Sequence, residues 1–171
     1  MDHKNIITKL EKNSLIFQAL LQDVPRDEYL WRYDEAKWCL LEIICHLYDE
    51  EREDFRTRLR YAIESASQQP PKIDPVRWVS ERNYIKQDYD TMLNKFVEER
   101  GKSIDWLSSI PPVQWNNSFT HPSLGDVTAQ FFLANWLAHD YLHIRQILRV
   151  KYRHLAISSD EDLSYAGEVI W

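Results

Sequence analysis

The seven prolines of this 171-residue chain fall in three places: at Pro25, at Pro70, Pro71 and Pro75, and at Pro111, Pro112 and Pro122. Proline ends helices, because it has no N–H to donate and its ring clashes with the preceding turn. The chain is therefore cut into four long segments, and each carries apolar residues at helical spacing. Ile6, Leu10, Phe17, Leu20 or Leu21, and Val24 predict a first helix over about 3–24, closed by Pro25. Asp34 is the expected N-cap of a second helix reaching about Ala66, with Leu40, Leu41, Ile43, Ile44, Leu47, Tyr48, Phe55, Leu59 and Ile63 apolar and its later turns charged outside. Asp74 and Pro75 form an N-cap and first-position pair. Trp78, Ile85, Tyr89, Met92 and Phe96 follow at steps that predict a third helix to about Ser108, with a bend near Gly101. The fourth helix is expected to open at Ser123-Leu124-Gly125-Asp126, the S-x-x-D form of a capping box, and to run to about Tyr152.

Three glycines, with no GxGxxG or GxxxxGK[ST] pattern, argue against nucleotide-binding α/β folds. The expected fold class is all-α, a four-helix bundle in one domain over residues 1–171. A tail begins at about residue 153, and its terminal Val169, Ile170 and Trp171 are expected to dock on the bundle or on a partner.

A formal charge of −6, with both signs interspersed, leaves no basic face for neutralising phosphates, so nucleic acid is not an expected partner. No apolar run approaches the roughly 20 residues of a bilayer span, and the first residues lack the apolar core of a signal peptide. A cytoplasmic protein with no membrane partner is the expectation. Cys39 and Cys45 would be separated by a rise of about 9 Å on one helix, beyond the roughly 7 Å Cα limit of a disulfide. They are expected to be reduced, buried thiols.

Two histidines stand out on the fourth helix. The apolar stripe Phe132, Trp136, His139, His143, Ile147 and Val150 places both imidazoles on the seam facing the bundle, one turn apart. Side chains at i and i+4 can point at a common atom, which permits chelation and equally permits two satisfied core histidines. On the second helix Glu42, His46, Asp49 and Glu50 share roughly one face. That line reads either as part of a site or as a solvated stripe.

Taken together these residues resemble a known family. Trp38-Cys39-Leu40-Leu41-Glu42-Ile43-Ile44-Cys45-His46-Leu47-Tyr48-Asp49-Glu50-Glu51 resembles the W-[ST]-x-x-E-x-x-x-H-L-x-x-x-E helix of the DinB/YfiT-like superfamily. The stretch FTHPSLGDVTAQFFLANWLAHDYLHIRQI resembles its H-P-x-x-G loop and closing H-D-x-x-H-x-x-Q-I helix. The likeness extends from the first helix to about Arg149. It implies a four-helix bundle in which His46, His139 and His143 hold one divalent metal ion, zinc or nickel. It also implies kinship with transferases that pass low-molecular-weight thiols such as bacillithiol or mycothiol to electrophiles, or isomerise a thiol adduct. Cys39 departs from the family's usual Ser or Thr and is expected to alter local helix packing.

The function expected from this resemblance is metal-dependent activation of a small thiol for conjugation to an electrophile. A non-catalytic metal-binding stress-response module, working as a homodimer, and a metal-dependent hydrolase are the alternatives. Three protein ligands leave coordination positions open, as catalytic sites require. Asp49 and Glu50, one turn from His46, are the catalytic candidates. Glu42 and Asp140 join them as groups that could orient an imidazole or move a proton, and a plain surface carboxylate is the simpler reading of all four. His121 is a loop candidate for covering the open side of the metal, or else packs on aromatic rings. His3 and His154 are expected at the surface. The tryptophans are first of all core fillers, with Trp31, Trp115 and Trp171 available to line a pocket or a subunit contact.

Overall fold

The computed structural model describes residues 2–64 and 68–167. Helix α1 (His3–Leu21) is followed by a one-turn helix α2 (Arg26–Tyr29) and a loop. Helix α3 (Leu40–Asp49) passes through a π-helical stretch (Glu50–Phe55) into α4 (Arg56–Glu64). After α5 (Pro75–Glu81) comes α6 (Tyr89–Ser109), then a hairpin of β1 (Ser118–His121) and β2 (Gly125–Thr128). Helix α7 (Ala129–Ser158) is the longest. The bundle consists of α1, the α3–α4 rod, α6 and α7; α1 packs on α6 and α7, and α3 packs chiefly on α6.

The fold class stands as expected, but the helix boundaries shift for local reasons. Asp34 does not start the second helix: its carboxylate accepts the Ala36 N–H at 2.8 Å in a local turn. The helix starts at Leu40, with Cys39 as N-cap and Glu42 reaching back to accept the Cys39 N–H at 3.0 Å, the reciprocal arrangement of a capping box. The cysteine thus stands where a Ser or Thr would be the ordinary cap. The expected end of this helix at Ala66 lies outside the described residues. The third helix is two helices. Asn83 turns into the left-handed region (φ 49°) after α5, and Asp88 caps α6 by accepting the Thr91 N–H at 2.9 Å. Helix α6 continues through Gly101.

The segment Ser123–Asp126 does not cap a helix. Its Gly125, at φ 72°, and Asp126 belong to the hairpin, where Thr120 donates its hydroxyl to Asp126 at 2.6 Å. The true cap of α7 is Thr128, which accepts the Phe131 N–H at 3.1 Å. Both cysteines are free and buried. Helix α7 runs on to Ser158, past its expected end at Tyr152, so the tail begins at Ser159 and not at about residue 153; it forms one helical turn at Leu163–Ala166, and the expected docking of Val169, Ile170 and Trp171 lies outside the described residues. No helix among the described residues is long and apolar enough to cross a membrane.

Two apolar clusters fill the bundle, one around Phe17, Ile44, Leu47, Phe96 and Ile147, the other around Leu10, Phe55, Leu107, Trp136 and Leu137. Where one gives way to the other, every bundle helix buries a polar residue: Asn13 on α1, Glu50 and Glu51 in the π-helical stretch, Arg100 and Ser103 on α6, and Asp140 and His143 on α7. His46 precedes Leu47 at the edge of this layer and is buried too. The π-helical stretch helps make the layer. Its wide turn, marked by the Thr57 hydroxyl donating to the Arg52 carbonyl at 2.7 Å, five residues back, turns Glu50, Glu51 and Phe55 inward together.

Candidate metal centre

His46 comes from the last turn of α3, and His139 and His143 come from successive turns of α7. Their ligand nitrogens all lie within 4.8 Å of one another. The Nε2 atoms of His46 and His139 are 3.3 Å apart, and those of His139 and His143 are 3.0 Å apart. Trp38 stands 4.7 Å from the His46 ring, and Phe55 stands 4.9 Å from that of His139. These rings wall the centre with apolar edges. His46 and His143 are buried, and His139 is half-buried.

Burial also fixes the charge state. It lowers His46 to about 3, helped by the neighbouring imidazole of His143. His139 is pushed well below the ordinary histidine value by burial first, then by His143, His46 and Arg100. His143 is lowered by burial, against the upward pull of Gln146 and Asp140. All three are neutral near pH 7, and each neutral ring carries one lone pair and one N–H.

Two buried nitrogens, Nδ1 of His46 and Nδ1 of His143, have no hydrogen-bond partner among the described residues. Buried polar atoms are rarely left so. With the N–H on Nδ1, three lone pairs converge on one point from Nε2, and they repel one another unless a cation lies between them. The donor set fits a divalent ion of the kind that imidazole favours.

The four carboxylates expected at the surface are all buried, with exposures of 5% for Glu42, Asp49 and Glu50 and 0% for Asp140. Salt bridges and hydrogen bonds draw three of them away from the histidines. Glu42 accepts a two-pronged contact from Arg32 at 2.6 and 3.2 Å. Asp49 accepts the Tyr84 hydroxyl at 2.6 Å and faces Arg82 at 2.8 Å. Asp140 accepts both guanidinium arms of Arg100 at 2.7 and 2.8 Å, together with Asn13 at 3.1 Å. Glu50 is different. Burial and the neighbouring Asp54 push it up to about 8, only partly opposed by Arg58, so it carries a proton at neutral pH. Among the described residues none of the four hydrogen-bonds a triad imidazole.

The remaining candidates lie elsewhere. His121 accepts the Ser123 N–H at 3.2 Å within the hairpin and lines a separate cavity with Pro70, Pro71 and Pro122. His3 is not a free surface residue: it stacks on the buried Trp115, 5.1 Å between centroids. His154 stands against Trp31 at 5.3 Å, and Trp171 lies outside the described residues. A cavity of about 350 Å³, not foreseen from the sequence, shares His143 with the triad and is lined by Tyr33, Leu142, Arg145, Gln146 and Arg149. Its signal was present as Arg145, Gln146 and Arg149 spaced along α7 beyond His143.

Three neutral imidazoles converging in the polar layer of a four-helix bundle define a helical-bundle protein with a candidate mononuclear metal centre. Residues 10–147 match the sequence model of the DinB superfamily, and the chain belongs to that superfamily. Among solved structures it is similar to YfiT from Bacillus subtilis, with a TM-score of 0.79 and 18% identity over 89% of this chain and 87% of that one. YfiT is described as "a probable metal-dependent hydrolase with an unusual four-helix bundle topology", and the likeness shows the shared fold. No curated protein matches the chain.

Proposed function

We propose that this chain is a metal-dependent enzyme in which His46, His139 and His143 hold one divalent ion, zinc or nickel, and a small thiol is activated there for transfer to an electrophile. The observation that carries the reading is the convergence of three neutral imidazoles whose inward nitrogens lie within 4.8 Å of one another. A divalent ion on three imidazoles supplies Lewis acidity, which makes a coordinated thiol acidic enough to react as thiolate near neutral pH.

The nucleophile must come from solution. The chain's two cysteines are both buried, and burial raises their thiols, Cys45 to about 12. Trp38 and Phe55 exclude water from the imidazole faces, and His143 opens the centre to the adjoining cavity. Glu50, protonated near neutral pH and one turn along from His46, is the buried proton reservoir nearest in sequence to that ligand. Asp49 is held by Tyr84 and Arg82, so we assign it to positioning the rod that carries His46 rather than to chemistry.

Hydrolysis is the second reading, favoured by that same protonated Glu50 and by the description of YfiT. The same three ligands would then activate water.

The test is elemental analysis of untagged protein and of His143→Ala after dialysis against trace zinc and nickel, followed by turnover assays with the loaded protein. About one equivalent in the parent and far less in the variant is expected, with transfer of thiol to a chromogenic electrophile that requires both metal and thiol. Absence of bound metal from the parent overturns both readings. Ester or amide cleavage that proceeds without thiol selects the second.

A further inference from the structure

Beyond His143, helix α7 presents an unusual wall. Over six residues, a rise of about 9 Å, Gln146 and Arg149 follow His143 down the cavity of about 350 Å³, with Arg145 beside them and Tyr33 opposite. Among the described residues no Asp or Glu lines this space. Other arginines of the chain are engaged by carboxylates: Arg32 by Glu42, Arg56 by Glu99, Arg82 by Asp49 and Glu53, and Arg100 by Glu51 and Asp140. Among the described residues Arg149 is held by its cationic face, 5.1 Å over the Tyr33 ring, and its buried Nε has no hydrogen-bond partner there. A guanidinium carries five donors in a fixed fork and cannot shed its charge. Leaving its Nε buried and unpaired is costly unless an acceptor arrives.

We propose that this cavity seats an oxyanion of the substrate, a carboxylate or a phosphate, on Arg149 and Arg145, and so presents the far end of the same molecule to the histidine centre. The inference rests on the metal-centre reading for the substrate's reactive end, whereas anion binding by the two arginines does not need the ion. Arg149 turns its fork toward the anion to supply a two-pronged contact, a turn that also uncovers Nε. Arg145, at the exposed rim, adds charge, and Gln146 stands between anion and ligand as a neutral hydrogen-bonding spacer. The substrate class is then an anionic small molecule whose charged group lies one to two helical turns from its reacting atom.

The experiment titrates succinate and, separately, inorganic phosphate into metal-free and zinc-loaded protein at constant ionic strength, read by calorimetry and by the Arg149 Nε–H resonance. The Arg149→Gln and Arg145→Gln variants are run alongside. Saturable binding of one of the two anions is expected in both metal-free and loaded parent, with the Nε–H resonance shifting. It should weaken by about tenfold or more in Arg149→Gln, and more modestly in Arg145→Gln. That variant alters an exposed side chain and keeps the fold. Succinate binding alone assigns a carboxylate, and phosphate binding alone assigns a phosphate. No saturable binding of either anion, or binding in both variants equal to the parent's, overturns the proposal. Zinc uptake is measured on the same samples. Zinc bound without anion removes the cavity's role and leaves the metal reading standing. Anion bound without zinc removes the metal reading and, with it, the cavity's place in a reaction.

Discussion

The polar layer across this bundle contains two clusters built from the same helices, and they are finished to different degrees. Around Arg100, 1% exposed, Glu51 accepts at 2.9 Å, Asp140 accepts from two arms, and the Leu10 carbonyl takes a further bond at 3.2 Å. The Trp136 indole N–H donates to Glu51 at 3.0 Å, and Asn13 donates to Asp140 at 3.1 Å. Burial alone would lower the guanidinium, but the two carboxylates outweigh it and raise it. Next door, His139 is the chain neighbour of Asp140 and His46 is five residues before Glu51, yet the imidazole cluster has orphaned nitrogens and lone pairs facing one another. Protein interiors satisfy their polar groups. A cluster that is complete from the chain's own atoms is structural, and one that is incomplete beside it is shaped for something the chain does not contain.

The sharpest way to break this comparison is to remove the centre of the finished cluster. Arg100→Met leaves Glu51 and Asp140 buried without their cation, and the loss should be about 3–5 kcal/mol. At about 2–4 °C per kcal/mol for a chain of this size, the thermal midpoint falls by about 6–20 °C. Replacing Glu51 and Asp140 with leucine in the same variant should recover a large part of that loss, because whole buried networks exchange for apolar packing at little net cost. A midpoint that Arg100→Met leaves unmoved would dissolve the distinction between the two clusters.

The unfinished cluster should behave in the opposite way. His46→Leu and His143→Leu remove Nδ1 atoms that have no partner among the described residues and Nε2 atoms that face only another imidazole, so in metal-free protein the thermal stability should stay within about 1 kcal/mol of the parent, or rise. Added zinc or nickel at about a hundredfold excess over Kd should stabilise the parent by about 2.7 kcal/mol, a rise of about 5–11 °C in differential scanning fluorimetry. Either leucine variant should lose that rise. A metal-free variant as damaged as Arg100→Met would show that the histidines are finished core residues after all.

Much of this arrangement could be read in the chain because it is carried by local periodicity. The apolar stripes and proline clusters predicted the bundle helices, and the i, i+4 spacing of His139 and His143 put both rings on one face. What stayed hidden depends on partners distant in sequence. Arg100 lies 49 residues from Glu51 and 40 from Asp140, so nothing near either carboxylate announces that it is buried rather than solvated. The π-helical stretch is equally silent, since its register shift is set by what Glu50, Glu51 and Phe55 pack against. Local signals also misled where two structures share one motif. Asp34 and Ser123-Leu124-Gly125-Asp126 carry cap chemistry that the fold spends on a turn and a hairpin, while the cap it uses at Cys39 is a residue that is not a preferred N-cap.

The smallest expected effect separates two adjacent glutamates of the π-helical stretch. Glu51 faces Arg100 and Trp136, whereas Glu50 has Asp54 beside it and Arg58 beyond, and is pushed from the ordinary 4.5 up to about 8. A carboxyl whose folded value is raised keeps a proton that the unfolded chain releases, so the folded state binds more protons than the unfolded chain between these values. Stability is therefore lost as pH rises from about 4.5 to about 8. Glu50→Gln mimics the protonated form and removes the dependence. In metal-free protein its midpoint should match the parent's at pH 4.5 and exceed it by pH 8, by on the order of 1–2 kcal/mol. Glu51→Gln should instead be destabilised at both ends of that range, because it takes an anion from Arg100. If the two glutamine variants gave the same pH profile, Glu50 would belong to the finished cluster, and the proposed role of Glu50 as a proton reservoir would fall.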